Sequence, residues 1–527
     1  MNQSVMNHKF SRVPQAEIPR SQFDRSHGYK TTFDAGLLVP FYVDEALPGD
    51  TFNLNMTGFA RMATPIKPLM DNLYMETFFF AVPNRLLWEH WENFMGEKDT
   101  PSSTTEYEVP NFTIAAGTQG AGSIYDYMGL PIYSTGGIKT NTLHFRAYNL
   151  IWNEWFRDQN LQDPVSESVA DTGDVPGDYT LLRRGKRHDY FTSCLPWPQK
   201  GEAISIPGAD LTAINVVDTG NPPTFIHPQV DPSTVAIQQQ QDNTLKASGG
   251  SFTGVAQTMY WADPALELEY GTLPWTPNIN DLRTAFQLQK MLERDARGGT
   301  RYTEIIQAHF GVTSPDARLQ RPEFLGGGSS RVNISPVQQT APTETGSPQG
   351  NLAAFGTASL HNHGFVKSFT EHCVVIGLVN VRADLTYQQG LNRMWFRRGR
   401  YDYYWPAFSN VGEQAVFDWE LFAEDETGDP TGVIFGYQER YAEYRYKPSQ
   451  ITGLFRSDAP SSLDIWHLSQ DFATGPTLSA EFIEDEPPID RVIATPTEPH
   501  FLFDSYINLR CARPMPLFGV PGNIDRF

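Results

Sequence analysis

The sequence predicts a mainly β protein, a sandwich or jelly roll of short strands into which helices and long loops are inserted. Three observations predict this fold class. Several segments alternate apolar and polar residues with the period of a strand that is buried on one face. Turn residues separate these segments, since the chain contains 39 Pro and 42 Gly. The helical segments are scattered instead of following each strand in turn, which disfavours a parallel α/β sheet.

The predicted strands are short apolar runs or alternating segments bounded by turn residues: 37–43, 51–57, 73–83, 373–384 and 432–447. In the second of these, Phe52, Leu54 and Met56 alternate with polar residues, as expected where one face of a sheet is covered. The last segment changes phase near Ala442, which predicts a β-bulge.

Three segments have helical spacing: 84–96, 143–160 and 280–298. The second is apolar on two faces, so we expect it to be buried on all sides, in the core or against a neighbouring molecule. In the third, Asn280 caps the predicted helix and Gly298 ends it. We interpret these helices as insertions into a β scaffold.

Residues 1–36 are predicted to form a basic N-terminal arm, and residues 37–527 the main domain. Lysines and arginines outnumber acids in the arm, and Pro14 and Pro19 oppose regular structure there. A frayed terminus without a role is the alternative interpretation.

Two later stretches differ from the rest of the chain by their lack of aromatic residues. Residues 201–256 contain only Phe225 and Phe252, and residues 326–350 contain none. Segments of this composition pack little core, so both are predicted to be exposed loops. An exposed loop can serve recognition or be a tolerated insertion, and both interpretations stay open.

The composition limits the classes of function. The formal net charge is −21, from 40 basic and 61 acidic residues, so any contact with nucleic-acid phosphates must be local. The odd number of distant cysteines, Cys194, Cys373 and Cys511, disfavours a disulfide framework or a zinc ribbon and suits a reducing compartment. The chain has no apolar run of membrane-spanning length and no secretory signal, so we expect synthesis in a cytoplasm and no membrane insertion.

The usual catalytic motifs are missing, namely the phosphate-binding loop, Gly-x-Ser-x-Gly and His-Glu-x-x-His. His361, His363 and His372 are the best metal candidates, but hydrogen-bonded histidines are commoner, and we predict neither a metal nor a cofactor. Acid-rich segments at 424–429 and 481–490 leave a carbohydrate-cleaving carboxylate pair as an alternative, although such runs are usually solvated faces. We therefore expect no enzymatic activity.

Basic residues are concentrated in three places. They are Lys9, Arg12, Arg20 and Arg25 in the arm, Arg183, Arg184, Lys186 and Arg187 in a first cluster, and Arg393, Arg397, Arg398 and Arg400 beside Trp395 in a second cluster. Cations for phosphates next to aromatic faces for bases are what sequence-tolerant binding of single-stranded nucleic acid needs. The alternative is that these side chains bridge to acidic patches on neighbouring subunits or stack in the core.

Four longer segments, 47–88, 145–160, 298–327 and 377–406, closely resemble the major capsid proteins of the Microviridae, specifically of the gokushovirus branch. The resemblance runs from about Arg12 to the C-terminus in long, near-verbatim stretches. It is weakest in residues 201–256 and 335–350.

The resemblance implies a bacteriophage capsid protein with an eight-stranded viral jelly roll and long helical and loop insertions. About sixty copies would form a T=1 icosahedral shell around circular single-stranded DNA. A large insertion would protrude at the threefold axes, and we place it in residues 201–256 as the host-facing element. The family also implies an internal scaffolding protein and a small basic DNA-binding protein, which an acidic coat would need to offset phosphate charge.

The predicted function is therefore capsid assembly and genome enclosure, in a virion assembled in the cytoplasm of a bacterial host. The arm and the two basic clusters are the predicted inner-surface contacts. The competing hypothesis is a host-surface β-sandwich protein that binds or cleaves carbohydrate.

Overall fold

The computed structural model describes residues 19–98, 100–102, 104–115, 120–132, 136–202, 204, 279–313, 320–346, 348–423 and 433–519, and the backbone of six strands between residues 215 and 269. The chain divides into two compact units. The main unit comprises Met1–Pro198 and Ala296–Phe527, and the inserted unit comprises Gln199–Asp295.

The strands are β1 (Ser21–Asp24), β2 (His27–Phe33), β3 (Val39–Ala46), β4 (Thr51–Met62), β5 (Leu73–Pro83), β6 (Asn111–Ile114), β7 (Ile138–Asn141), β8 (Asn215–Asp218), β9 (Thr224–His227), β10 (Asp231–Gln239), β11 (Leu245–Ala247), β12 (Tyr260–Asp263), β13 (Leu266–Glu269), β14 (Glu323–Arg331), β15 (Asn333–Gln338), β16 (Leu352–Ser368), β17 (Cys373–Ala383), β18 (Glu413–Phe417), β19 (Ile434–Glu439) and β20 (Phe501–Arg513).

The α-helices are α1 (Asn84–Leu87), α2 (Trp91–Phe94), α3 (Ile124–Tyr127), α4 (Leu143–Ile151), α5 (Ile279–Arg297), α6 (Tyr302–Phe310) and α7 (Ala480–Ile483). A π-helical turn, Trp152–Phe156, extends α4. Short 3₁₀ turns lie at Pro176–Asp178, Arg393–Phe396, Arg400–Asp402, Pro406–Phe408, Asp418–Glu420, Ala442–Tyr444, Gly453–Phe455, Asp464–Trp466 and Ile489–Arg491.

Two large antiparallel sheets form the centre of the main unit. The first sheet has the strand order β1-β20-β4-β16-β15, and β2 also pairs with β20. The second sheet has the order β14-β5-β17-β3. Both sheets join strands that are far apart in the sequence, so the fold is built from long-range pairings.

The main core lies between these two sheets. Strand β4 alternates buried and exposed residues along its whole length, as the sequence predicts, and β20 does the same. The ring of Phe41 in the second sheet meets the ring of Phe503 in the first sheet edge to face, with centroids 5.9 Å apart. Burying a ring of this size stabilises the fold by roughly 1.5–3 kcal/mol.

Strand β17 is buried on both faces. Val375 and Val379 face the core between the sheets, whereas Val374, Ile376 and Leu378 face a second core that includes α4. A strand covered on both sides has no polar positions to alternate with, which explains why this segment is a continuous apolar run.

Helix α4 lies within this second core, and the predicted burial on all sides is confirmed for most of its residues. The side chain of Arg146 is 2% exposed and forms an ion pair with Asp174, which is 1% exposed. Arg146 also donates to the carbonyl oxygens of Leu87, at 2.8 Å, and Ala170, at 2.7 Å. This buried arginine therefore ties α4 to the end of α1 and to the segment before Asp174.

The arm is shorter than the 36 residues predicted. Ser21–Asp24 and His27–Phe33 are strands that pair with β20 at the edge of the first sheet. Polar side chains alternate with partly buried ones in β2, which is the pattern of an edge strand and not of a free arm.

The loop predicted over residues 326–350 is also shorter, because the glycine run belongs to β14. A side chain at Gly327 would place its Cβ 2.0 Å from the carbonyl oxygen of Thr77, and one at Gly328 would lie 2.6 Å from the ring of His363. Glycine is needed at these two positions because the backbone of β14 lies too close there to Thr77 and His363 to leave room for a side chain. The remaining loop connects β15 and β16.

Two further expectations need correction. The helix predicted over 84–96 is two short helices, because Trp88 between them is extended and buries its ring. The bulge predicted near Ala442 is the end of a strand instead, since β19 stops at Glu439 and Tyr441 adopts a positive φ of 61°.

The inserted unit contains the stretch 201–256 that was predicted to be exposed, but it continues further along the chain. Its strands form a four-stranded antiparallel sheet, β11-β10-β9-β12, and a two-stranded sheet, β13-β8. Most of α5 belongs to it, with the boundary to the main unit at Ala296. The insertion is thus a compact unit with its own sheets and a helix.

A third, smaller core packs around Tyr190, Val416 and Phe482 in the main unit. The three cysteines are buried and unpaired. Among the described residues, no helix combines the length and the apolar character that crossing a bilayer requires.

Candidate nucleic-acid interface

The predicted cations of the arm divide into two groups. Lys9 and Arg12 lie outside the described residues. Arg20 donates to the carbonyl oxygen of Gly49, and Arg25 forms a two-pronged ion pair with Asp44, at 2.7 and 2.8 Å. Arg25 therefore takes part in an ion pair within the protein itself.

The first basic cluster lies on the segment before Asp189, and its side chains have different environments. Arg183 forms an ion pair with Glu486 at 2.6 Å. Arg184 pairs with Glu76, which Arg382 also contacts at 2.9 Å. Arg184 therefore holds the segment against the second sheet, and Arg183 links it to the segment after α7.

Lys186 and Arg187 complete the cluster. Lys186 donates to the carbonyl oxygen of Phe482 at 2.6 Å and lies over the Phe482 ring. Burial lowers the pKa of Lys186 from its ordinary value, although nearby acids such as Asp485 oppose the shift. The side chain of Arg187 is 60% exposed, and its ion pair with Asp384 is long, at 3.9 Å. Arg187 is thus the cation of this cluster that is most available to a ligand.

This cluster forms one wall of a cleft of about 630 Å³, which we call the basic cleft. Its lining consists of the aromatic residues Phe78, Phe80, Trp155, Phe156 and Phe324, the basic residues Arg157, Arg184, Lys186, Arg187, His188 and Arg301, one acid, Asp158, and Gly185 and Ile483. A volume of this size lies in the range of small-ligand sites, which is about 300–1,000 Å³.

The aromatic side of the basic cleft comes from the second sheet and the π-helical turn. The rings of Phe80 and Trp155 lie 5.5 Å apart, and those of Phe80 and Phe324 also lie 5.5 Å apart. The indole nitrogen of Trp155 donates to the carbonyl oxygen of Pro322 at 2.9 Å, which fixes the ring at the cleft wall.

Two cations of the basic cleft were not predicted from the sequence. Arg157 donates to the carbonyl oxygen of Gln162 at 3.1 Å, and Arg301 forms an ion pair with Glu304 at 3.3 Å. The Nε atom of Arg157 is buried without a hydrogen-bond partner, and the Nε atom of Arg301 lies 4.0 Å from a carboxylate oxygen of Glu154.

Sequence spacing could not bring these two arginines together with the first cluster. Arg157 follows a helical segment, and Arg301 lies between two helices, four residues after Arg297. Neither belongs to one of the predicted basic clusters. Only the fold places them beside Arg187.

In the second basic cluster, two arginines have buried acidic partners. Arg393 pairs with Glu420 at 3.1 Å, and Arg397 pairs with Glu443 at 3.1 Å. Burial raises the pKa of Glu420, although the guanidinium of Arg393 opposes the shift. These pairs attach the cluster to the third core.

The rest of the second cluster is at the surface. Arg398 is exposed, the Trp395 side chain is 70% exposed, and the guanidinium of Arg400 lies 4.6 Å from the centre of the Trp405 ring. The backbone amides of Arg398 and Gly399 donate to Asp402 and lower the pKa of that carboxyl.

A second cationic segment, 440–447, lies beside this cluster and was not predicted as part of a site. The guanidinium of Arg397 lies 4.2 Å from the centre of the Tyr444 ring, and the rings of Tyr404 and Tyr441 lie 5.2 Å apart. The interleaved arginines and tyrosines of this segment were the available signal, but the sequence pattern indicated a strand there.

The three histidines considered for a metal are not arranged as a site. His363 is buried, with its ring nitrogens hydrogen-bonded to the hydroxyls of Thr77, at 2.8 Å, and Ser330, at 3.2 Å. His361 is exposed, and His372 packs its ring against that of Trp91. Within the described part of the chain, no group of three or more potential ligands could hold a metal ion.

Comparisons with known proteins identify relatives over nearly the whole chain. A family model described as capsid protein (F protein) matches residues 11–523. The capsid protein VP1 of Chlamydia phage 1 is 45% identical over 98% of this chain and 98% of its own length. The corresponding values are 44%, 99% and 98% for the capsid protein VP1 of Bdellovibrio phage phiMH2K, and 36%, 98% and 97% for that of Spiroplasma virus 4.

Proposed function

Because the chain belongs to the F-protein family of Microviridae capsid proteins and is a structural component of the virion capsid, we propose that about sixty copies close a T=1 shell around circular single-stranded DNA. The family membership confirms the predicted capsid function and its non-enzymatic character. Electron microscopy of purified particles tests the proposed geometry. Open sheets, tubes or particles of another copy number would contradict it.

The strand order supports a jelly roll as the shell-forming domain. Of the strands in the two large sheets, eight run along the chain in the order β2, β3, β4, β5, β14, β16, β17, β20. The first sheet takes them as β2-β20-β4-β16, and the second as β3-β17-β5-β14. Successive strands therefore alternate between the sheets, except that β5 and β14 are neighbours in the second sheet, which is the pattern of two interlocked Greek keys.

We place the contact with DNA in the basic cleft. The observation that carries this proposal is the set of five cationic donors that line one cleft beside five aromatic rings and a single acid, namely Arg157, Arg184, Lys186, Arg187 and Arg301. Phosphate oxygens would satisfy the donors, and an unstacked base would fit against the rings. Such a contact reads no sequence, as a coat that encloses a whole genome requires.

A double substitution that leaves the structural ion pairs in place tests this contact. Arg157→Gln with Arg187→Gln removes two cations from the cleft while keeping Arg184 and Lys186 in place. We expect shells to form, but with less DNA per particle, measured from the ratio of absorbance at 260 and 280 nm. Binding of a single-stranded oligonucleotide by the purified subunit should also show a log–log salt slope shallower by about 1.4, for two lost phosphate contacts.

The matched control is Arg61→Gln with Arg510→Gln. Both arginines are exposed on the face of the first sheet that points away from the core, and neither lines the cleft. This control removes the same charge and should package normally. Normal packaging and an unchanged salt slope in the cleft variant would contradict the DNA contact.

The inserted unit is the proposed outer, host-facing element. It forms compact sheets separately from the main unit, so its removal need not disturb the two large sheets. We propose that the protrusion at the threefold axes, predicted over residues 201–256, spans the whole inserted unit, Gln199–Asp295.

Other partners follow from the charge of the subunit. About sixty copies of a chain with a net charge of −21 cannot balance packaged phosphate. A small basic DNA-binding protein inside the shell is therefore a proposed partner. An internal scaffolding protein during assembly and a receptor on the host surface are proposed from membership of the family. The arm residues Lys9 and Arg12 stay a prediction for DNA contact.

A further inference from the structure

The second basic cluster and the segment beside it form one exposed surface, which we call the arginine–tyrosine surface. It consists of residues 393–408 and 440–447. Its large exposed side chains are Met394, Trp395, Tyr401, Tyr403, Tyr404, Trp405, Tyr444 and Tyr446. Its cations outside the buried pairs with Glu420 and Glu443 are Arg398, Arg400, Arg440, Arg445 and Lys447, of which Arg445 forms an ion pair with Glu439. Exposed rings in such numbers mark a binding surface.

The rings of this surface are poorly suited to stacking on bases, because many already have an internal partner. Arg400 lies over Trp405, and Arg397 lies over Tyr444. The ring of Tyr401 meets that of Phe408 edge to face at 5.7 Å. A single strand would find guanidinium groups where the free ring faces of a stacking platform are needed.

The composition of the surface instead matches the energetic centre of protein interfaces. Arginine, tyrosine and tryptophan are the residues enriched at such centres, and lysine is depleted there. Lys447 is the one lysine among the cations of this surface. Prior stacking of Arg397 and Arg400 on rings also reduces the conformational entropy lost on binding a protein partner.

The main unit carries a second exposed surface with the opposite charge, which we call the acidic shelf. It is formed by α1, α2 and the segments 104–109 and 166–171. His90 holds these parts together, since its ring stacks on Tyr107 at 4.3 Å and contacts Asp171 at 2.9 Å. The exposed acids are Glu89, Glu92, Glu97, Glu106, Glu108 and Glu167, beside the exposed apolar side chains of Phe94, Met95 and Val169. Glu108 forms an ion pair with Lys139 at 3.5 Å.

We propose that the arginine–tyrosine surface of one copy docks on the acidic shelf of the next copy in the shell. The proposal rests on the proposed function, since it requires that copies of this chain assemble. Opposite charge on the two surfaces gives complementarity, and exposed rings and methionine on both sides give an apolar centre. Neither surface lies in the basic cleft, so one subunit can bind its neighbour and DNA together.

A contact between two different surfaces fits two kinds of symmetry. Around a fivefold or threefold axis of the shell it is head to tail and closes into a ring. Across a twofold axis the same contact occurs twice, with each surface of one copy on the other surface of its neighbour.

A charge-swap experiment in the full chain tests this contact. Arg398→Glu with Lys447→Glu reverses two exposed cations that take no part in the buried pairs. We expect sedimenting particles to fall by about tenfold or more, because like charges placed opposite each other cost several kcal/mol. Glu92→Lys with Glu106→Lys should have a similar effect, and all four substitutions in one chain should restore particles.

The control is Arg61→Glu with Arg510→Glu, which reverses two exposed cations on the first sheet and should assemble normally. Circular dichroism of the unassembled subunits verifies that each variant is folded. The proposal is overturned if the arginine–tyrosine variant assembles normally, with or without loss of DNA, or if the four substitutions together fail to restore particles. If the wild-type chain forms no shells, it is the proposed function that fails.

Discussion

The buried ion pair between Arg146 and Asp174 allows a quantitative test of how the second core is held together. Asp174→Asn keeps the shape of the side chain but removes its charge. The guanidinium of Arg146 then stays buried with only the carbonyl oxygens of Leu87 and Ala170 and a neutral amide as partners. The hydroxyl of Tyr179, which donates to Asp174 at 2.6 Å, also loses a charged acceptor.

The expected loss follows from the burial of both partners. Breaking a buried pair by removing one charge costs about 3–5 kcal/mol, and the retained amide oxygen places this variant near the lower end. A domain has roughly 5–15 kcal/mol of stability in total, so the loss should be large and easily measured. Urea unfolding of the purified subunit, followed by tryptophan fluorescence, gives the change in free energy of unfolding.

The same substitution at an exposed pair is the control. Asp504 pairs with Lys30, and their side chains are 54% and 76% exposed. Asp504→Asn should cost about 0.2–1 kcal/mol, because solvent screens the pair and the side chains lose entropy in forming it. If Asp174→Asn costs no more than Asp504→Asn, the buried pair does not stabilise the fold as argued.

Three further predictions concern other parts of the chain. Gly327→Ala places a Cβ 2.0 Å from the carbonyl oxygen of Thr77 and should cost about 3 kcal/mol or more in urea unfolding, whereas Gly120→Ala, with nothing within 4 Å, should be close to neutral. Burial raises the pKa of Asp485 to about 7, so this carboxyl favours the folded state below the unfolded pKa of about 4, and the contribution is lost as the pH rises towards 7. In Asp485→Asn, the free energy of unfolding should therefore decrease less between about pH 4 and pH 7 than in the wild type. The same dependence on pH in both proteins would contradict the raised pKa of Asp485. Replacing residues 203–278 by a flexible Gly/Ser linker should leave shell formation intact and reduce attachment of particles to host cells, and failure to form shells would show that the inserted unit belongs to the scaffold.

The sequence predicted the elements whose pattern is local. The alternation in β4 and the continuous apolar run of β17 each indicated a strand and its degree of burial. The glycine run in β14 was predicted as a loop, because its reason is the close approach of Thr77 and His363 from distant parts of the chain. The composition of a short segment does not reveal a contact with residues so far away in the sequence.

In the candidate site, too, the local pattern was predicted from the sequence and the long-range contacts were not. The basic clusters were visible as runs of arginine, but which of those arginines are paired depends on acids far away in the sequence. Glu76 is 108 residues from Arg184. Arg157 and Arg301 were missed for the same reason, since both lie far from the first basic cluster in the sequence and join the basic cleft only after folding.

The position of β20 has a consequence for the order of events in the cell. This strand lies between β2 and β4, and Ser505 in it donates to the backbone of Tyr29, 476 residues earlier. The first sheet therefore lacks a central strand until the ribosome has translated past residue 513, and closing so long a loop is slow. A nascent chain therefore cannot complete the first sheet before β20 has been synthesised. We expect chains truncated before β20 to be excluded from the particle.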